Sequence, residues 1–179
     1  ECLQMFRGHN SWVTSVSYSL DGKKILAGSE GGTVKEWSVE SGECLQMLQG
    51  HDDKVNSLIY SPDGKKILSG SDDGTVKEWW VESGECLQTL RGHSRCVNSV
   101  CYSPDGKKIL SGSDDGTVKE WSVTHGECLQ TLYGHSSSVN SVSYSAGGKK
   151  ILSGSNDGAV KEWLVASGEC LLTLKGYVR

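Results

Sequence analysis

From Glu85 to Gly126 the chain changes character every few residues, and each change is marked by a turn signal. Glu85-Cys86-Leu87-Gln88-Thr89-Leu90 alternates and stops at Arg91-Gly92-His93. Val97-Asn98-Ser99-Val100-Cys101-Tyr102-Ser103 is β-branched and aromatic with a period of two, and ends at Pro104-Asp105-Gly106. The proline presets φ and the glycine accepts a positive one, so this triplet turns the chain. Lys107 to Ser113 follows, and Asp114-Asp115-Gly116 makes a second tight turn, a strong hairpin signal. Thr117 to Val123 is the next strand, and Thr124-His125-Gly126 closes the unit. No helical period competes, so four short antiparallel strands are predicted. Apolar or small residues lie on both strand faces: in the preceding unit Val76 and Trp80 alternate with Thr75, Trp79 and Val81. A sheet covered on both faces needs neighbours on both sides, and without helices that implies radial packing.

The unit recurs. Trp37, Trp79, Trp121 and Trp163 are 42 residues apart, as are Cys2, Cys44, Cys86, Cys128 and Cys170. The repeats are 1–42, 43–84, 85–126 and 127–168, with a terminal outer-strand segment at 169–179. Repeats 43–84 and 85–126 agree at 32 of 42 positions, which reads as recent duplication. Such a unit cannot bury its faces alone, so the repeats are expected to stack as one array. The chain does not begin with Met and starts and stops near one repeat phase, so it is read as part of a longer protein or as cut at a repeat boundary.

A net charge of −4 argues against nucleic acid, whose binders need clustered positive charge. No apolar run approaches a membrane helix and no secretory segment opens the chain, so neither a membrane nor the secretory route is expected. Five of the seven cysteines share one phase, too far apart on successive repeats for disulfides. With Cys96 and Cys101 they read as thiols in a reducing cytoplasm. No cofactor or metal site is expected: His93, Cys96 and Cys101 fit no common zinc spacing.

The Gly-His pairs (Gly8-His9, Gly50-His51, Gly92-His93, Gly134-His135), the Ser-Pro-Asp-Gly turns (Ser61 to Gly64, Ser103 to Gly106) and the Ser-Gly-Ser-x-Asp stretch leading to Trp79, Trp121 and Trp163 resemble the WD40-repeat β-propeller family over essentially the whole chain. The nearest likeness is to the near-identical, recently amplified arrays of bacteria and filamentous fungi. The Asp that the family places after Trp is replaced by Ser38, Trp80, Ser122 and Leu164. The resemblance implies an all-β propeller with four blades per chain; since such blades are shaped for the small turn of a larger ring, the chain is expected either to complete an eight-bladed ring as a homodimer or to be a fragment of a longer array. It also implies a buried structural tetrad per blade: Asp73, Ser71, His51 and Trp79; Asp115, Ser113, His93 and Trp121; Asp157, Ser155, His135 and Trp163. In the first blade Gly31 stands where the Asp belongs, beside His9, Ser29 and Trp37, so that blade is expected to be weaker; in the terminal stub Tyr177 replaces the His.

Iterated Ser–His–Asp sets invite a hydrolase reading, but a catalytic site is usually singular, and these recur like framework around a Trp. The chain is not expected to be an enzyme. The pairs Lys23-Lys24, Lys65-Lys66, Lys107-Lys108 and Lys149-Lys150 read as a solvated rim. Variation between repeats concentrates at Asn10, Trp12, Asp52, Lys54, Ser94, Cys96, Ser136 and Ser138 after each Gly-His, and at Glu30, Asp72, Asp114 and Asn156 in the second turn. Thr14, Asn56, Asn98 and Asn140 are expected to border them. A fixed scaffold with variable tips is the layout of a recognition surface, here the top face of a propeller, for a protein or peptide ligand. The alternative is a self-assembling structural or engineered symmetric propeller module with no partner but itself.

Overall fold

The computed structural model describes residues 5–176. Glu1, Cys2 and Tyr177, which the sequence reading used, lie outside them. The described chain is all-β and forms four antiparallel sheets of four strands. The first is β1 (Val13–Tyr18), β2 (Lys24–Ser29), β3 (Thr33–Ser38) and β4 (Cys44–Gln49); the second is β5 (Val55–Tyr60), β6 (Lys66–Ser71), β7 (Thr75–Trp80) and β8 (Cys86–Arg91). The third is β9 (Val97–Tyr102), β10 (Lys108–Ser113), β11 (Val118–Ser122) and β12 (Cys128–Leu132); the fourth is β13 (Val139–Tyr144), β14 (Lys150–Ser155), β15 (Ala159–Leu164) and β16 (Cys170–Lys175). Each is an unbroken meander in strand order.

The sheets straddle the sequence units. Cys86–Arg91 opens the unit at 85, yet as β8 it pairs with β7 of the unit before, with Trp79 opposite Cys86 across a register shift. The cause is the turn between them: Gly84, at φ +71°, donates its N–H to the carbonyl of Trp80 and reverses the chain. The expected sheet over 85–126 is therefore the sheet 97–132. At the other end Met5 and Phe6 lie outside any strand.

Successive sheets pack face on face, with each inner strand (β1, β5, β9, β13) against the next. Three cores result. Leu26, Val34 and Leu48 of the first sheet meet Val55, Leu58, Tyr60, Ile67 and Trp79 of the second, and the same set recurs 42 residues on at each later junction. Interior sheets are covered on both sides, as their apolar strand faces require. Among the described residues no further sheet covers the outer faces of the first and fourth, where Val13, Val16, Leu152 and Val160 are exposed.

Candidate recognition surface

Beneath the surface lies a repeated relay. Trp79 Nε1 donates to Ser69 Oγ at 2.8 Å. The Ser69 hydroxyl donates to His51 Nε2 at 2.8 Å, and His51 Nδ1 donates to Asp73 Oδ2 at 2.8 Å. This sequence of donors requires the neutral Nδ1–H tautomer. The relay repeats through Trp121, Ser111, His93 and Asp115, and through Trp163, Ser153, His135 and Asp157. The serine between the rings is thus Ser69, Ser111 or Ser153, not the expected Ser71, Ser113 or Ser155. Both lie on one strand face, but Ser71 and Ser155 bond instead to loop carbonyls, of Asp53 and Ser137, and hold the turn through the Asp73 and Asp157 N–H groups. Ser113 does the same between the Arg95 carbonyl and the Asp115 N–H.

Burial lowers the pKa of His51 and His93 from the usual imidazole value, against the opposing pull of Asp73 and Asp115. Burial pushes Asp115 up, but hydrogen bonds from Thr117 and His93 outweigh it and hold the carboxyl at about 2. Asp157 is likewise held at about 2, burial being outweighed by His135 and by the Ala159 and Ser136 N–H groups. The Ser69 hydroxyl is fully buried between two rings, so nothing reaches it as a nucleophile. In the first sheet the relay is missing. Ala27 occupies the serine position, His9 Nε2 faces the Ala27 carbonyl at 3.2 Å, and Trp37 Nε1 is buried without a partner among the described residues.

Above the relays the varying positions come together in pairs. The backbone N–H of Glu30 donates to the carbonyl of Trp12, Asp72 to Lys54, Asp114 to Cys96, and Asn156 to Ser138, each at 2.9 Å. A register shift just inside each pair fixes this geometry. Asn10, Trp12, Glu30, Asp52, Ser94, Ser136, Asn140 and Asn156 are exposed; Lys54, Asp72, Cys96, Asp114 and Ser138 are half-buried. Trp12 is 78% exposed, unusual for so large an apolar ring. Arg95, exposed at a loop tip, joins Ser94, Asp114 and Ser136 around a polar cleft of about 410 Å³ between the third and fourth sheets.

The residues expected only to border this surface have a structural task. Asn56 Nδ2 donates to Asp72 Oδ1 at 2.6 Å and to the carbonyl of Val97 in the next sheet at 3.0 Å; Asn98 repeats this on Asp114 and Val139. Thr14 bonds the carbonyls of Gly28 and Val55. They tie neighbouring sheets together. Burial, with the nearby Asp72 carboxylate, pushes the Cys96 thiol up to about 11; burial pushes Cys101 to about 12. Among the described residues no three His, Cys, Asp or Glu side chains are placed to share a metal. Trp80 lies at the other end of its sheet, 37% exposed, near Lys24, Lys65 and Glu82.

The lysine pairs are not simply a rim. Lys24 Nζ reaches Glu36 at 3.1 Å, Lys66 reaches Glu78 at 3.2 Å and Lys108 reaches Glu120 at 3.1 Å. These glutamates are buried and also accept from Gln46, Gln88 and Gln130. The tyrosine of the following sheet completes each site: Tyr60 OH donates to Glu36 at 2.7 Å, Tyr102 to Glu78 and Tyr144 to Glu120 at 2.8 Å. Burial and the adjacent carboxylate push these phenols far above their usual range. The sequence reading missed this site. Its signal was the Glu fixed before Trp in all four units.

The family model described as the fourth β-propeller of WDR90 matches residues 54–176, and that of the WD domain, G-beta repeat, matches residues 1–38. The chain is 49% identical over 41 residues to the vegetative incompatibility protein HET-E-1 of Podospora anserina, a span that covers 23% of this chain and 3% of that protein. It is 47% identical over 38 residues to WD repeat-containing protein 18 of Danio rerio, covering 21% of this chain and 9% of that protein. The chain thus spans a small fraction of either relative's length.

Proposed function

Since the chain belongs to the WD40-repeat family of β-propellers, whose members generally serve as protein-interaction scaffolds, we propose that it is a non-catalytic scaffold binding a protein or peptide. In this reading the ligand lies on the face that carries Trp12, Lys54, Cys96 and Ser138, the top of the propeller. The supporting observation is the pairing of each of these with Glu30, Asp72, Asp114 or Asn156. A constant hydrogen bond presents a different pair on every blade: aromatic with acid, lysine with acid, thiol with acid, hydroxyl with amide. Identical backbones carrying unlike side chains suit an extended ligand that is read at several points. Trp12 is its anchor, since exposed aromatics dominate binding energy at interfaces. The working form in this reading is a cytoplasmic homodimer completing an eight-bladed ring, without nucleic acid or membrane partners. No helix among the described residues is long and apolar enough to cross a membrane.

The test is a peptide-library selection against the purified chain, followed by titration of the selected peptide into Trp12→Ala and Lys54→Ala. Each variant should weaken binding by about tenfold or more while leaving the unfolding midpoint unchanged. Peptides that bind both variants as well as the parent would sink the reading. An array that selects nothing would favour the alternative, a structural module that assembles only with itself.

A further inference from the structure

The fourth interblade core is present in the sequence but divided between the two ends of the chain. At the internal junctions Leu26, Val34 and Leu48 meet Val55 and Leu58, and their equivalents follow 42 residues on. All of these internal residues are 6% exposed or less. One step further gives Leu152, Val160 and Leu174 on the outward face of the fourth sheet, 44%, 43% and 56% exposed. The other half is Val13 and Val16 on the outward face of the first sheet, 52% and 68% exposed.

The polar and steric details divide in the same way. Tyr60, Tyr102 and Tyr144 each bond the buried glutamate of the preceding sheet, while Tyr18 is 65% exposed and Glu162 pairs with Lys150 at 2.8 Å. Gly28, Gly70 and Gly112 lie so close to the next inner strand that a Cβ would come within 2.7, 2.8 and 2.7 Å of Val55, Val97 and Val139. At Gly154, the equivalent position, a Cβ would meet nothing within 4 Å.

We propose that a second copy of this chain covers each end, the fourth sheet of one copy packing on the first sheet of the other. In this junction Gly154 lies against Val13 and Val16 of the second copy, and Tyr18 of that copy bonds Glu162. The groove waiting on the first sheet is about 620 Å³ and is lined by Val13, Val16, Ile25, Ala27 and Trp37. Phe6 lies edge-on to Trp37 at 6.4 Å between ring centres, in the repeat position of Leu174. It therefore gives way when Leu174 of the second copy enters. One junction of this kind leaves two complementary ends free; a second closes them. Head-to-tail contacts either close or grow into filaments, and two arcs of four blades give eight, within the range of propellers. One contact is not reproduced: Leu172 stands where Gln46, Gln88 and Gln130 donate to the Val81, Val123 and Val165 carbonyls of the next sheet, so the junction between copies has one hydrogen bond fewer than the internal ones. The proposal deepens the homodimeric part of the reading above and is independent of what the top face binds.

Light scattering over a concentration series should give a species near twice the 19.3 kDa chain mass, with no larger ones. Gly154→Val places a side chain in open space within one chain, so it should leave the circular dichroism intact and abolish the dimer. Val16→Asp, at an exposed position, should do the same from the other end. Mixing the two variants should restore a dimer through the one junction that neither touches, which only a head-to-tail contact allows. A parent chain that stays monomeric, or that grows into filaments, would overturn the closure. A Gly154→Val chain that dimerises like the parent would overturn the register. Neither result would bear on peptide binding by Trp12.

Discussion

Among the described residues Trp37 Nε1 lacks an acceptor, because position 27 is alanine where Ser69, Ser111 and Ser153 stand in the other sheets. A buried donor left unpaired costs about 1–3 kcal/mol, so the loss of this one hydroxyl is enough to set the first blade apart. Gly31 adds a second loss, the carboxylate that would orient His9. It does not have a positive φ, and a Cβ there would sit 3.7 Å from Ser11, ordinary contact, so Asp is accommodated. Ala27→Ser with Gly31→Asp should therefore raise stability by about 1–2 kcal/mol in denaturant unfolding, and Ser69→Ala should lower it by a similar amount. No gain from the double substitution would mean that Trp37 is already satisfied by solvent. The same relays set the acid limit. His51 and His93 titrate below 6.5 in the fold, so they favour the folded state above that value and lose the contribution as pH falls through their folded pKa. Asp115 and Asp157, lowered from 3.8 to about 2, extend the loss from about pH 4 to about pH 2. Thermal melts should therefore fall continuously below about pH 6.5, and a melting temperature flat from there to pH 4 would contradict the neutral tautomer of the relay.

The strands and their turns were legible because each is specified locally. Pro104-Asp105-Gly106 and Asp114-Asp115-Gly116 reverse the chain on their own chemistry, and a period of two marks what lies between. What was not legible depends on which strand lies alongside. Alternation says that Cys86–Arg91 is a strand but not that it belongs with β7, which the turn at Gly84 decides. Ser69 and Ser71 share a face by the same period, so the pattern cannot choose between them; only the reach of His51 and Trp79 does. Lys66 and Glu78 read as surface charges one by one. Their cross-strand neighbours, and Tyr102 from the next sheet, turn them into a buried site. The top face was legible in part: comparing units found the varying positions, but not that Asn56 and Asn98 spend their amides on the neighbouring sheet.

An array of this kind is stabilised by its junctions, so position within the arc should order the local stabilities. The second and third sheets have a packed junction on both faces. The first and fourth have one each, and they leave Val16 and Leu174 exposed where equivalent residues are buried. The first sheet also lacks its relay. Amide exchange of dilute protein, read by mass spectrometry, should be fastest in β1 and β16 and slowest from β5 to β11, because end sheets can open without breaking a second interface. The gradient should flatten as concentration rises and both end faces are covered, since binding that requires the folded ends stabilises them by mass action. In Gly154→Val the gradient should persist at every concentration. Uniform protection in the dilute parent chain would instead mean that the four sheets open as one unit, with end burial contributing nothing measurable. A gradient in the parent that concentration does not change would mean that its ends stay uncovered, against the proposed dimer.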